Sequence, residues 1–215
     1  MHIPDGLLDP YTIIATYGIA ILILSYTIMR YRSMVSEFEI AKIAGLASSI
    51  FVAQLIKWPV PGGSTLHFVG GGLAGIVSGP LGGLIVMATV LAVQTFIFHD
   101  GGITAFGANI ISAGVIGVWC SYLVYTFLKK TRAPFYIATF ITGYLSTILT
   151  GLTAGFILGL SGEILGSNLY NLRITPTVMF VTHALLGPLE GLITMGVAEY
   201  IRSRNPLILF EGGRA

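Results

Sequence analysis

Charge is what this sequence has least of. Only 9% of its 215 residues are Asp, Glu, Lys or Arg, while 54% are hydrophobic and the mean hydropathy is +0.87. Soluble domains carry roughly a quarter of charged residues, so a soluble fold is excluded and the chain reads as an integral membrane protein. The net charge is +2, with the basic residues in short segments rather than a stripe, which excludes a nucleic-acid partner. There is a single cysteine, Cys120, in an apolar stretch, so no disulfide framework or thiolate metal cluster is available and the residue reads as packing. No basic segment precedes the first apolar run, Tyr11 to Met29, so no signal peptide is expected. The mature chain is then expected to begin at Met1, which the bulky His2 would protect from removal.

What is present is a series of continuous apolar runs of spanning length. They favour helices, whose backbone is satisfied internally in lipid, over the alternating strands of a barrel. Spans are expected at about 11–29, 40–56, 67–79, 81–98, 104–128, 134–160 and 175–201. The third is short, and joining it to the fourth across Gly79-Pro80 would give a run well beyond the roughly 20 residues one crossing needs. The distribution of basic residues decides between the two. With seven spans and the N-terminus outside, Arg30, Arg32, Lys42, Lys129, Lys130, Arg132, Arg202, Arg204 and Arg214 lie inside, and only Lys57 and Arg173 lie outside. Merging two spans would export the Lys129 to Arg132 cluster. The expectation is therefore a single all-α domain over 1–215, with residues 1–10 as an N-terminal segment outside and the C-terminus in the cytoplasm.

In that orientation His2, His67, His99 and His183 all fall in the outer half, as do Asp5, Asp9 and Asp100. Small residues at four-residue intervals form three ladders that let helices approach closely: Ala41, Gly45, Ser49 and Ala53; Gly71, Gly75 and Gly79; Gly151, Gly155 and Gly159. The last two read as internal packing. The first is also suited to a membrane partner.

The stretch "MHIPDG" carries the sharpest chemistry. A free α-amine, the following amide nitrogen and the Nδ1 of a histidine at position 2 close two fused chelate rings on one ion. The amide must lose its proton, and Ni²⁺ or Cu²⁺ in a square-planar field drives this, while Co²⁺ stays open. His67, at the end of "PGGSTLH", is the best candidate for the fourth nitrogen. An all-nitrogen set argues against structural zinc, calcium and magnesium. The Pro4-Asp5-Gly6 turn offers a way to fold the terminus back onto the protein.

"MHIPDG", "PVPGGSTLHFVGGGLAGIVSGP", "FHDGGITAFGAN" and "THALLGPLEGLIT" together resemble the CbiM/NikM family, the substrate-binding membrane subunits of energy-coupling factor importers for nickel and cobalt. The resemblance runs from Met1 to about residue 200. It implies a compact helical bundle with the N-terminal segment tucked inside. The ligands it implies are the Met1 amine, the His2 amide and imidazole nitrogens, and the His67 imidazole, with no catalytic cofactor and Ni²⁺ or Co²⁺ as the cargo. It also implies a multi-pass protein of the prokaryotic plasma membrane. Its partners would be a transmembrane coupling subunit, two ATPase subunits and, in some systems, a small accessory membrane subunit. The glycine-rich "VGGGLAG" lacks the lysine and hydroxyl of a phosphate loop, so the ATPases must be separate chains.

Asp5, Ser64, Thr65, Thr104, Asn109, His183 and Glu190 are candidates for hydrogen bonding behind the ligands. His183 and Glu190 are seven residues apart, on nearly one helical face, and costly in a span unless partnered. His99 stands where relatives have a small residue and reads as an interfacial histidine without a metal role. The alternatives are a cobalt-specific importer subunit, a membrane metalloenzyme and a secondary carrier. The enzyme lacks a His-Glu-x-x-His or Gly-x-Ser-x-Gly motif, and the carrier lacks the expected file of buried carboxylates.

Overall fold

A computed structural model describes residues 2–60 and 64–210 of the chain. Among them, five helices are long and apolar enough to cross a membrane. The first, α1 (Pro10–Tyr31), is started by Asp9, whose carboxylate accepts from the N–H groups of Tyr11 and Thr12 while Pro10 supplies a ready-made first turn. Helix α2 (Glu37–Gln54) starts the same way, with the Ser36 hydroxyl accepting from Glu39. At 18 residues and with a charged first turn it is not among the five.

The all-helical expectation needs one amendment. Strands β1 (Lys57–Val60) and β2 (Ser64–His67) form an antiparallel hairpin in which Lys57 pairs with His67. His67 is therefore the last residue of a strand, not the first of a span. The third apolar run becomes helical only at Gly71, because the backbone of "STLH" is taken up by pairing in the hairpin.

Helix α3 (Gly71–Phe96) is broken at Gly79, whose φ of 68° and ψ of −172° no helix contains and which only glycine adopts easily. Pro80 then starts a new helical arm. The two arms fold back on one another: a side chain at Gly83 would stand 2.8 Å from the carbonyl oxygen of Ala74. The break falls where the sequence separates the third and fourth runs. Residues 71–78 extend only about 12 Å at 1.5 Å per residue, well short of a bilayer. Both ends of α3 consequently lie at the end of the bundle that carries the N-terminal segment.

The fifth run forms α4 (Phe106–Asn109), a π-helical stretch (Ile110–Ile116) and α5 (Gly117–Lys130) as one rod. Helices α6 (Phe135–Ile164) and α7 (Thr175–Arg204) make the most extensive helix pair. Two of the small-residue ladders face inward: Gly71 packs on the Gly117 backbone and Gly155 on Pro176 and Met179. The α2 ladder does the opposite, with Ala41, Gly45 and Ser49 exposed and Ala53 half-buried. Cys120 is half-buried. The main core gathers Ile50, Phe68, Leu84, Met87, Leu91 and Ile110 below the N-terminal segment.

Candidate metal centre

The segment ahead of α1 is drawn into the bundle. Ile3 and Leu8 are buried against Ala105, Ala108, Ala154 and Leu158. Backbone polar groups taken inside must be paired, and Asn109 does this for Ile3 with both ends of its carboxamide. The Ile3 N–H donates to Asn109 Oδ1 at 2.8 Å, and Asn109 Nδ2 donates to the Ile3 carbonyl at 3.1 Å. The same carbonyl accepts from the Gly102 N–H at 3.0 Å. Asp5 caps the next turn, accepting from the N–H groups of Ile103 and Thr104 and from the Thr104 hydroxyl. These bonds, the Thr104 hydroxyl foremost, hold the Asp5 carboxyl below its ordinary range. Gly102 has no room for a side chain, since a Cβ there would lie 2.5 Å from the Asp5 nitrogen. At its far end the segment is fastened by the Asp9 N–H, which donates to the Ser161 hydroxyl on α6 at 2.6 Å.

This fastening puts the His2 ring beside that of His67, with centroids 4.9 Å apart and planes at 40°. Both nitrogens of His2 are shielded from solvent and have no hydrogen-bond partner among the described residues. Burial, and secondarily the positive charge of Lys57, lowers its pKa to about 4, so the ring is neutral at physiological pH. His67 is only 3% exposed, and burial lowers its pKa too. Its Nδ1 lies 2.7 Å from the Phe68 carbonyl, which fixes the proton there and turns Nε2 into the donor atom of the ring. Two neutral imidazoles in contact, next to the start of the chain, are suited to a cation that binds nitrogen.

The residues after His67 are clamped by Glu190, which reaches from α7 to accept from the Val69 and Gly70 N–H groups, each at 2.8 Å. His183 is buried on the same helix seven residues earlier, its Nδ1 donating to the Met179 carbonyl at 2.6 Å. An ion pair at 2.9 Å between Lys57 and Asp100 joins the hairpin to the loop after α3 above the two rings.

Of the candidates named from sequence, His2 and His67 are thus brought into ring contact, Asp5, Thr104 and Asn109 hold the segment that carries His2, Glu190 holds the residues after His67, and His183 is buried on the same helix as Glu190. His99 is exposed on the loop, with a φ of 54°. Met1 and the side chains of Ser64 and Thr65 lie outside the described residues. Sequence reading passed over Gln54 and Gln94, two fully buried carboxamides beside the histidines. The signal was there, since a glutamine inside an apolar run is costly without a partner.

Comparison with known proteins shows the family of the chain. The family described as the CbiM cobalt uptake substrate-specific transmembrane region matches residues 2–208. A relative in Archaeoglobus fulgidus, assigned as a fused nickel transport protein NikMN, is 41% identical over 97% of this chain and 68% of its own length. The fused nickel transport protein NikMN of Rhodobacter capsulatus is 28% identical over 97% of this chain and 64% of its own. The chain thus spans about two thirds of each fused protein. A crystal structure of a truncated transition metal transporter superposes with a TM-score of 0.88 at 25% identity, covering 94% of this chain and 99% of the other. The chain is a multi-pass membrane protein of a family of metal transport components rather than enzymes, and it belongs to the CbiM family.

Proposed function

We propose that the protein is the nickel-binding subunit of an ATP-driven energy-coupling factor importer, holding Ni²⁺ in a square of four nitrogens. The ligands are the Met1 amine, the His2 amide nitrogen, His2 Nδ1 and His67 Nε2. The observation that carries this reading is the contact between the neutral, solvent-shielded imidazoles of His2, at the start of the chain, and His67. The amine and amide form a five-membered chelate ring, and the amide and Nδ1 a six-membered one, so the geometry comes from the first two residues alone. The planar field suits Ni²⁺ and disfavours Zn²⁺, which seeks a tetrahedron. Co²⁺ uses the same atoms, and uptake of cobalt for cobalamin synthesis is the second reading, favoured by the family's own description.

In this reading the protein sits in the prokaryotic plasma membrane, N-terminus outside and C-terminus in the cytoplasm. Counting the two arms of α3 separately gives seven membrane segments, the arrangement that keeps most Lys and Arg inside. The ion is released inward when partner ATPases turn over. The coupling subunit is expected to pack a helix on the exposed ladder of Ala41, Gly45, Ser49 and Ala53. That ladder borders an apolar groove of about 430 Å³ between α2 and α7, with Leu73 and Val77 among its walls.

Equilibrium dialysis of the purified protein against Ni²⁺, Co²⁺ and Zn²⁺ tests the reading. Near-stoichiometric Ni²⁺ that His67→Ala abolishes is expected. Preference for Zn²⁺, or full Ni²⁺ binding by His67→Ala, would contradict it.

A further inference from the structure

Gln94, on the second arm of α3, and Gln54, the last residue of α2, are 0% and 1% exposed. Gln54 Nε2 donates to the Val69 carbonyl at 2.6 Å, and Gln94 Nε2 donates to Gln54 Oε1 at 2.7 Å. A carbonyl only accepts, so Val69 sets the orientation of the Gln54 amide, and Gln54 in turn sets that of Gln94. Turning either amide over would put two donors or two acceptors together. The Oε1 of Gln94 is thereby committed to the opposite side, where it is buried and has no hydrogen-bond partner among the described residues. The His2 side chain lies beside this arm of α3, since a Cβ built at Gly101 would meet both His2 Cβ at 3.2 Å and Thr95 Oγ1 at 3.3 Å, and the two His2 ring nitrogens are likewise buried and unpartnered among the described residues. Three buried polar atoms without partners, on neighbouring residues, are unusual in a folded protein.

Ligation resolves the mismatch. A neutral imidazole carries one proton. When Nδ1 binds an ion, closing the six-membered ring with its own amide nitrogen, the proton must sit on Nε2, and a buried Nε2–H needs an acceptor. We propose that Gln94 Oε1 is that acceptor, so that Gln94, oriented by Gln54, is a positioning residue that selects the Nδ1-ligating form of His2. The same chain of bonds ends on the Val69–Gly70 peptide, whose N–H, that of Gly70, is held by Glu190. The two imidazole ligands are therefore tied to each other through Gln94, Gln54 and the peptide two residues beyond His67. This inference rests on the metal site proposed above.

The test uses the full chain in lipid nanodiscs, with ¹⁵N-histidine labelling and Ni²⁺ as the probe. Square-planar Ni²⁺ is diamagnetic, so the His2 ring nitrogens are readable by NMR. Gln94→Met keeps the length and removes the acceptor; Gln94→Glu keeps an acceptor. Wild type is expected to show a protonated Nε2 on His2, and Gln94→Met a loss of about 10- to 100-fold in Ni²⁺ affinity with that proton signal lost or shifted. Gln94→Glu should recover part of the affinity. Gln54→Met, which frees Gln94 to turn, should weaken binding in the same direction and serves if Gln94→Met does not fold. Affinity within about twofold of wild type with unchanged His2 shifts would overturn the inference. So would equal losses in the Met and Glu variants that follow a common drop in thermal stability. A wild type that binds no Ni²⁺ would instead remove the site itself.

Discussion

Asn109 pairs with the backbone of Ile3 as a neighbouring strand would, donating to its carbonyl and accepting from its N–H. One carboxamide thus takes the place of a second chain for the segment that bears His2. Asn109→Leu leaves the Ile3 N–H inside without a partner, and its carbonyl with only Gly102, at a cost of about 1–3 kcal/mol per unpaired group. The expected result is a bundle that still folds but binds Ni²⁺ at least tenfold more weakly, as about 1.4 kcal/mol implies. Hydrogen exchange at the Ile3 amide, slow in wild type and fast in the variant, checks it.

Gly102 provides a second handle on the same docking. A Cβ at this position would press on the Asp5 nitrogen and the Pro4 carbonyl carbon. Gly102→Ala should therefore displace the N-terminal segment while leaving the α6–α7 pair intact. Metal loading is expected to fall with little change in the thermal transition of the bundle. A large loss of helicity would show that the loop serves folding instead.

Glu190 accepts from both N–H groups that follow Phe68, with one oxygen for each. Glu190→Gln replaces one acceptor by an NH₂ group and sets donor against donor at Val69 or Gly70. The His67 loop should loosen, with Ni²⁺ affinity down by about tenfold or more, the range expected when a group behind a ligand is lost. Calorimetric titration, paired with a melting curve, measures both effects.

Acid should release the segment. His2 has a pKa near 4 in the folded protein against 6.5 for a free histidine, so folding excludes a proton from it. The stabilisation is complete above pH 6.5 and is lost as the pH falls towards 4, amounting to about 3 kcal/mol over that window. Asp5 acts at lower pH: its folded value lies below 3.8, so its contribution persists above 3.8 and disappears further down. Metal binding adds steepness, because the amine and amide must both lose protons. Ile3 amide protection should be high at pH 7 and largely gone at pH 4.5. Equal protection at both values would contradict the burial of a neutral His2.

Much of this was legible in the chain because lipid imposes simple rules. Apolar run lengths located α1, α6 and α7 to within a few residues, and Gly79-Pro80 marked the turn inside α3 because no helix passes through that glycine's backbone angles. The proximity of His2 and His67, whose ring centroids lie 4.9 Å apart, agrees with the expectation that a terminal Met-His would seek one more nitrogen. Other features were hidden. The hairpin of Lys57–Val60 with Ser64–His67 is too short and too polar to stand out beside membrane helices, so His67 was assigned to the head of a span. The π-helical turn after Asn109 has no composition of its own. Gln54 and Gln94 were missed because a buried glutamine declares its role only when its partners, forty residues apart in the chain, are brought together.

In the proposed site the first nitrogen of the chain binds the ion. A variant with a short alanine extension before Met1 moves that amine away and leaves an amide in its place. The visible spectrum of Ni²⁺-loaded protein reads the outcome. Wild type should show the yellow, square-planar d–d band and the extended protein should show neither the band nor tight binding. An extended protein that binds Ni²⁺ as wild type does, or a wild-type spectrum of octahedral or tetrahedral nickel, would contradict the account.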